Sequence, residues 1–174
     1  MKIITLSTLT IVLGLASSTA LAQAAAPNDA QIAGIVVAAN TVDIDAGKLA
    51  EQKSGDEKVK QFARQMVTDH TGVNKQATAL VEKLKVKPEE SATSKSLRDA
   101  GASSMNKLKA LKGRDFDKAY VDNEASYHQT VIDALDSTLI PSAKNSELKD
   151  LLVKVRPAFV AHLEHAKQIQ ASMK

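Results

Sequence analysis

The residues best able to do chemistry lie where long helices would normally carry apolar side chains. In each of four predicted helices, one position on the apolar, inward-facing side is occupied by an acid or a histidine. A buried carboxylate or imidazole without a partner is destabilising, so we expect these side chains to bind one another, water or a ligand. Glu124 also lies one helical turn before one of these residues, His128. The four inward residues, in chain order, are Asp43, His70, His128 and His162.

Three imidazoles and one carboxylate form a donor set that suits zinc, copper or iron. A rise of about 1.5 Å per residue puts Asp43 and His70 at similar levels and matches His128 and His162 less well. Glu124 is either a further ligand or a carboxylate that orients His128. The sequence predicts one transition-metal site at these five residues. A hydrogen-bonded polar layer without a ligand is the alternative.

Other chemistries have less support in the sequence. Carboxylate-bridged di-iron centres use Glu-x-x-His pairs, and no histidine here has Glu three residues before it. A haem between Met66 or His70 and His162 would need aromatic walls, and the chain has only 3 Phe, 2 Tyr and no Trp. The sequence has no Cys and no G-x-S-x-G motif, so it shows no recognisable site for nucleophilic catalysis. We therefore predict no catalytic residues and leave the identity of any cofactor open.

Apolar residues recur at steps of three and four and predict four long helices and one short one. Capping residues mark the starts, and Gly or Pro marks most of the ends. Asn28, Asp56, Asp115 and Asn145 are the expected caps. The predicted helices span residues 28–53, 56–86, 97–111, 116–139 and the stretch from 145 onward.

These helices indicate an all-α protein made of two helical hairpins. The connection between the hairpins is long and contains the short helix, which is the ferritin-like arrangement of a four-helix bundle. Pro157 lies inside the last helix and is expected to kink it and to leave the carbonyl of Val153 unpaired. No strand pattern or repeat competes with this fold.

The N-terminus has the layout of a secretory signal. Lys2 is followed by an apolar run over residues 3–15 and then by Ala20-Leu21-Ala22. We predict cleavage after Ala22, which leaves residues 23–174 as a single four-helix-bundle domain in the periplasm or outside the cell. An uncleaved signal anchor is the alternative. No later segment has the length of apolar sequence that a membrane span requires.

Composition and charge exclude several other classes. The absence of Cys excludes disulfide frameworks, Cys-ligated metals and a bacterial lipoprotein anchor. The formal net charge of +3 is spread along the chain rather than gathered into a basic stripe, so nucleic acid is not an expected partner. An envelope protein or a second copy of the chain stays open as a partner.

Three segments of the chain resemble one family. They are residues 62–71 with Asn74, residues 116–121 leading to His128, and residues 148–149 with 157–163. Together they are similar to domain of unknown function family 4142 (DUF4142), whose members are secreted bacterial proteins, often labelled outer membrane proteins. We take that label as a statement about the envelope compartment alone, because the chain has neither barrel strands nor a lipid anchor.

The resemblance implies a ferritin-like bundle and supplies no established activity. It also implies that Asp43, His70, His128 and His162 are the characteristic inward polar residues of the family. This chain has Tyr127 where relatives often carry an acid before the histidine, which removes one candidate carboxylate.

The leading hypothesis is a periplasmic or secreted helical bundle that binds one transition metal in its core, for metal handling or envelope stress. The first alternative is a ligand-free structural or interaction module of the cell envelope. The second alternative is a metal-dependent redox enzyme.

Overall fold

The computed structural model describes residues 26–173, so the predicted signal at residues 1–22 and its cleavage site lie outside the described residues. Between residues 26 and 173 the chain is helical and contains no strand. This described part has six α-helices, and a five-residue π-helix at Leu135–Leu139 lies between the fourth and the fifth. The α-helices are α1 Asp29–Lys53, α2 Glu57–Lys83, α3 Ala92–Ala110, α4 Gly113–Ala134, α5 Ile140–Ser142 and α6 Ser146–Ser172.

Three of the long helices begin where their capping residues predict. Asn28 and Gln31 form a capping box at the start of α1, with each side chain bonded to the other residue's backbone N–H. Asp56 accepts hydrogen bonds from the first turn of α2, and Asn145 accepts one from Leu148 in α6. These caps satisfy N–H groups that have no partner inside the helix.

The crossover differs from the prediction at both of its ends. Helix α2 ends three residues earlier than expected because Lys85 adopts a left-handed conformation with φ of 53°. The N–H of Val86 then bonds to the carbonyl of Val81, which closes the helix end. Helix α3 is longer than expected, because Ser91 and Ser94 form a capping box inside the polar stretch.

The prediction for the next helix was wrong at its start and in its last turns. Helix α4 begins at Gly113 without a side-chain cap, so Asp115 lies in the first turn rather than at the cap. Pro141 does not break the helix, which widens into the π-helix and runs on to Ser142. Because Pro141 has no N–H and its ring crowds the preceding turn, the wider turn accommodates a residue that a regular α-helix would not.

The helices pack as the two predicted hairpins. Helix α1 lies against α2, and α4 lies against α6, while α2 contacts α6 and α1 contacts α4 across the bundle. Helix α3 belongs to the long crossover and packs along α1. The fold is an all-α, ferritin-like four-helix bundle with an extra helix in the crossover, as predicted.

Two glycines permit close approach of these elements. A Cβ at Gly47 would lie 3.1 Å from the carbonyl oxygen of Ala63, so α1 and α2 approach closely at this point. A Cβ at Gly34 would collide with the backbone of Glu89, whose N–H bonds to the carbonyl of Ala30. The start of the crossover is thus fixed directly onto α1.

The core is built from the predicted apolar stripes, and Pro157 lies within a helix that continues through it. At the N-terminal end of α1, the Asp29 carboxylate accepts hydrogen bonds from the backbone N–H groups of Lys144 and Asn145 at 2.9 and 3.0 Å. This contact ties the first hairpin to the second. None of the helices between residues 26 and 173 combines the length and the apolar character needed to cross a membrane.

Candidate metal centre

The five predicted site residues come together inside the bundle. Each of the four bundle helices α1, α2, α4 and α6 contributes to the cluster, and α4 contributes two residues. The three imidazole rings are mutual neighbours, with centroid separations of 5.3 to 5.5 Å. Every member is at most 2% exposed to solvent. The cluster consists of Asp43, His70, Glu124, His128 and His162.

Asn40 fixes the orientation of His70. The Asn40 Nδ2 donates to the carbonyl of Val36 at 2.9 Å, and because a carbonyl only accepts, the Asn40 Oδ1 must face His70. That oxygen lies 2.7 Å from His70 Nδ1, so Nδ1 carries the proton and donates it. In the neutral ring the lone pair is then on Nε2.

The other two histidines are oriented in the same way by different acceptors. His128 Nδ1 lies 3.0 Å from the main-chain carbonyl of Glu124, which accepts its proton. His162 Nε2 lies 2.9 Å from a carboxylate oxygen of Asp69, and the Asp69 side chain is about 41% exposed. The lone pair is therefore on Nε2 in His128 and on Nδ1 in His162.

The three ring nitrogens left with lone pairs are buried and have no hydrogen-bond partner among residues 26–173. They are Nε2 of His70, Nε2 of His128 and Nδ1 of His162. The three residues also offer ring nitrogens that lie within 4.8 Å of one another. Histidines that bind metals typically donate their other N–H to a carboxylate, a backbone carbonyl or water. The carboxylate and the backbone carbonyl occur here, at His162 and His128, and the Asn40 amide oxygen serves His70.

Asp43 lies against two of these nitrogens. Its Oδ2 is 3.0 Å from His70 Nε2 and 3.5 Å from His128 Nε2, without a hydrogen bond to either. A carboxylate oxygen and an imidazole lone pair repel each other at such distances unless a proton or a cation lies between them. A separation near 3 Å is close to that of two ligands bound to one ion at about 2.1 Å each.

The two carboxyl groups of the cluster form a proton-holding pair. Burial raises the pKa of Asp43 to about 7, while the neighbouring Glu124 carboxyl acts in the opposite direction. Burial and the neighbouring Asp43 raise the pKa of Glu124 well above its usual range. Two carboxylates buried together cannot both ionise without compensation, so one proton stays on the pair in the metal-free protein.

The imidazoles are held neutral. Burial, together with the other two histidines, lowers the pKa of His70 to about 2. Burial also lowers the pKa of His128 to about 4, against the opposing effect of its bond to Glu124. The pKa of His162 is lowered for the same reason, although Asp69 raises it. Neutral imidazole is the form that binds metals, so the cluster is ready to do so at neutral pH.

Aromatic side chains surround the cluster. The centroid of the Phe159 ring lies 5.0 Å from the ring centroid of His70 and 5.8 Å from that of His128. On the Glu124 side, the Tyr120 hydroxyl is buried without a hydrogen-bond partner. The Phe159 and Tyr120 rings keep the local dielectric low, which strengthens electrostatic interactions inside the cluster.

Sequence reasoning did not find Asn40 and Asp69. Asn40 lies three residues before Asp43, which places it on the same helix face, and that spacing was the signal available for it. Asp69 directly precedes His70 but contacts His162 across the groove between α2 and α6. His165 lies at the flank of the α6 stripe, where it meets Gln65 and the Phe62 ring.

Comparisons with known proteins agree with this fold. Residues 15–169 match the family described as Domain of unknown function (DUF4142). A crystal structure of a protein described as secreted, DUF305 from Streptomyces coelicolor, aligns with a TM-score of 0.70 at 11% identity, over 82% of this chain and 91% of that one. The curated proteins contain no match to this chain. Since the family match covers most of its length, the chain belongs to the DUF4142 family.

Proposed function

We propose that this protein binds one transition-metal ion in the core of the bundle, in the periplasm or outside the cell. The ion would be held by three histidines and Asp43, with Glu124 as a hydrogen-bond partner or a further ligand. The mature form would consist of residues 23–174, acting as one domain after removal of the signal. The role would be metal handling or a response to envelope stress.

The observation that carries the proposal is the set of three unpartnered ring nitrogens. Each histidine has one nitrogen engaged with a fixed acceptor and the other buried without a partner. Buried polar atoms are nearly always hydrogen-bonded, so three exceptions in one cluster need an explanation. A cation bound among them would satisfy all three and would also compensate the nearby carboxylate of Asp43.

The donor set favours a borderline divalent ion. Imidazole nitrogens suit zinc, copper and iron, whereas magnesium and calcium prefer sites made entirely of oxygen. One ion is expected, because His128 belongs both to the histidine set and to the Asp43–Glu124 set. Its single lone pair cannot serve two ions. A buried ion with four protein ligands has no free position for a substrate, which favours a carrier or structural role over catalysis.

Supporting observations bear on the location. The first 22 residues have the pattern of a cleavable signal. The structurally similar DUF305 protein is described as secreted, which is in keeping with export. Export would place the protein where envelope metals are exchanged.

The test is a titration of the purified mature chain. The protein is treated with a chelator, and zinc, copper(II) and iron(II) are added while heat and melting temperature are followed. We expect one equivalent to bind and the melting temperature to rise with the concentration of free metal. The double variant His70→Ala with His162→Ala should lose this rise, and His165→Ala should keep it.

A lack of response to all three metals would overturn the proposal. The cluster would then be a hydrogen-bonded layer closed by the proton of the Asp43–Glu124 pair, and a ligand-free interaction module of the envelope would be favoured. Oxidation of iron(II) or consumption of peroxide by the loaded protein would contradict the non-catalytic role and favour a redox enzyme.

A further inference from the structure

A cavity of about 210 Å³ lies beside the histidine cluster, where the bundle meets the π-helix. Its walls come from α1, α2, α4, the π-helix and α6, and from α3 on the crossover side. Most of the wall side chains are aliphatic. They include Ile35, Val73, Val131, Leu135, Leu152 and Val155.

The cavity has a closed floor and an open mouth. Phe159 and Asn40 form part of the lining and are buried, and both contact His70. Thr93, Thr130 and Thr138 line the opposite side, where they are exposed to solvent. The cavity therefore runs from the surface toward the candidate metal centre, and the Phe159 ring separates the two.

The polar atoms of the cavity are few and mostly engaged. The Asn40 amide is taken up by Val36 and His70. The Thr130 hydroxyl donates to the carbonyl of Ser126 at 2.9 Å. Among residues 26–173, no Asp, Glu, Lys, Arg or His lines the cavity. A charged ligand would lose its hydration without compensation here, so the chemistry of the walls selects a neutral apolar molecule.

The cavity is large enough to admit a small molecule, and its mouth is open to solvent. For comparison, an enclosed apolar cavity of about 150 Å³ binds benzene. The π-helix contributes Leu135, Thr138 and Leu139 to the walls. Such wide turns occur frequently at functional sites, and this one helps to shape the cavity.

From these observations we infer that the cavity is a binding site for one small neutral molecule, in size between benzene and indole. The ligand lies with its apolar body against the walls and with any polar group at the threonine mouth. This site is separate from the metal proposal, since none of its contacts requires an ion.

Indole tests the inference with little background, because the chain contains no Trp. We expect the indole emission to shift to shorter wavelength on addition of the mature protein, with saturation at one equivalent. Ala134 lines the cavity near its mouth, and Ala134→Leu should fill part of the space and weaken binding at least tenfold. Ala79→Leu, an identical change on the exposed face of α2, should leave the affinity unchanged within twofold.

Two further measurements keep the inference separable from the metal site. Variant His70→Ala with His162→Ala should still bind indole if it folds, and metal-free protein should bind it as well. If Ala134→Leu does not fold, Leu97→Phe blocks the cavity from α3 instead. The inference is overturned if neither indole nor benzene shows saturable binding, with benzene followed by melting temperature. It is also overturned if a folded blocking variant binds indole as tightly as the native chain.

Discussion

Asn40 joins α1 to α2 at the level of the cluster, through a 2.7 Å hydrogen bond between its Oδ1 and His70 Nδ1. The bond determines which nitrogen of His70 carries the proton, and therefore which one can bind a metal. In the proposed metal site, a residue that does not touch the ion would thus control the ligand that does.

Replacing Asn40 by Ala should weaken metal binding about 10- to 100-fold, the usual effect of losing a partner that orients a metal ligand. The physical reason is that His70 then rotates and exchanges protons freely between its two nitrogens. Isothermal titration with the metal that binds best measures the change. Asn106→Ala, on the exposed face of α3, is the matched control and should bind like the native chain. Unchanged affinity in Asn40→Ala would contradict the assigned role.

Asp69 should have a smaller effect, because its carboxylate is partly exposed. Asp69→Ala removes the acceptor for His162 Nε2, and we expect metal affinity to fall by about tenfold. Asp69→Asn keeps an acceptor oxygen and should recover most of the loss. Asp45→Ala, an exposed acid on α1, controls for the change in net charge. Equal losses in Asp69→Ala and Asp45→Ala would show that long-range charge, rather than orientation, is responsible.

The pH dependence of stability in the metal-free protein should contain two opposing contributions. The pKa of Asp43 is raised from 3.8 to about 7, so its contribution is present at low pH and is lost as pH rises toward 7. The pKa values of His70 and His128 are lowered from 6.5 to about 2 and about 4. Their contribution is present above pH 6.5 and is lost as pH falls. Between about pH 4 and 6.5 the two trends partly cancel.

Asp43→Asn should remove one of these contributions. The free energy of unfolding of the variant should then rise more steeply with pH between about 4 and 6.5 than that of the native chain. At pH 7.5 we expect the metal-free variant to be more stable, by an amount on the order of 2 kcal/mol, because the amide that replaces the Asp43 carboxyl cannot ionise. Its amide can also donate to His70 Nε2. Urea unfolding across this pH range is the measurement, and parallel pH profiles would refute the assignment.

Asp29→Ala should destabilise the fold without affecting the site. The substitution leaves the N–H groups of Lys144 and Asn145 without their acceptor, and we expect a loss of about 1 to 2 kcal/mol in the free energy of unfolding. Metal affinity should be unchanged when measured well below the melting temperature. A loss of metal binding in a folded Asp29→Ala protein would indicate coupling between the end of the bundle and its core.

The sequence predicts the helices well where a capping side chain and an apolar stripe agree, as at Asn28 and Asp56. It fails where a backbone conformation decides the boundary. Lys85 ends α2 by adopting a positive φ, and Lys112 precedes α4 without a side-chain cap. Neither feature has a signature in residue type, since left-handed lysine is uncommon and an uncapped start has no sequence signal.

The levels of the histidines show a similar limit. Counting from Ser142 makes His128 and His162 differ in depth, but the helix continues through Ser142 and the turn lies at residues 143–145. Counted from the middle of that turn, the two fall at roughly 24 and 27 Å. Asn40 and Asp69 could not be predicted as partners, because their contacts depend on how α1, α2 and α6 pack rather than on the stripe of one helix.

The wide turn at Leu135–Leu139 constrains the number of residues in this segment as well as their types. Removing one residue there would leave a turn too narrow for Pro141 and would rotate every later side chain of that helix by about 100° around its axis. Leu139 would leave its buried position, and Pro141 would take a new orientation relative to the start of α6. Divergent sequences with this arrangement should therefore tolerate substitutions between residues 135 and 142 more readily than single-residue insertions or deletions.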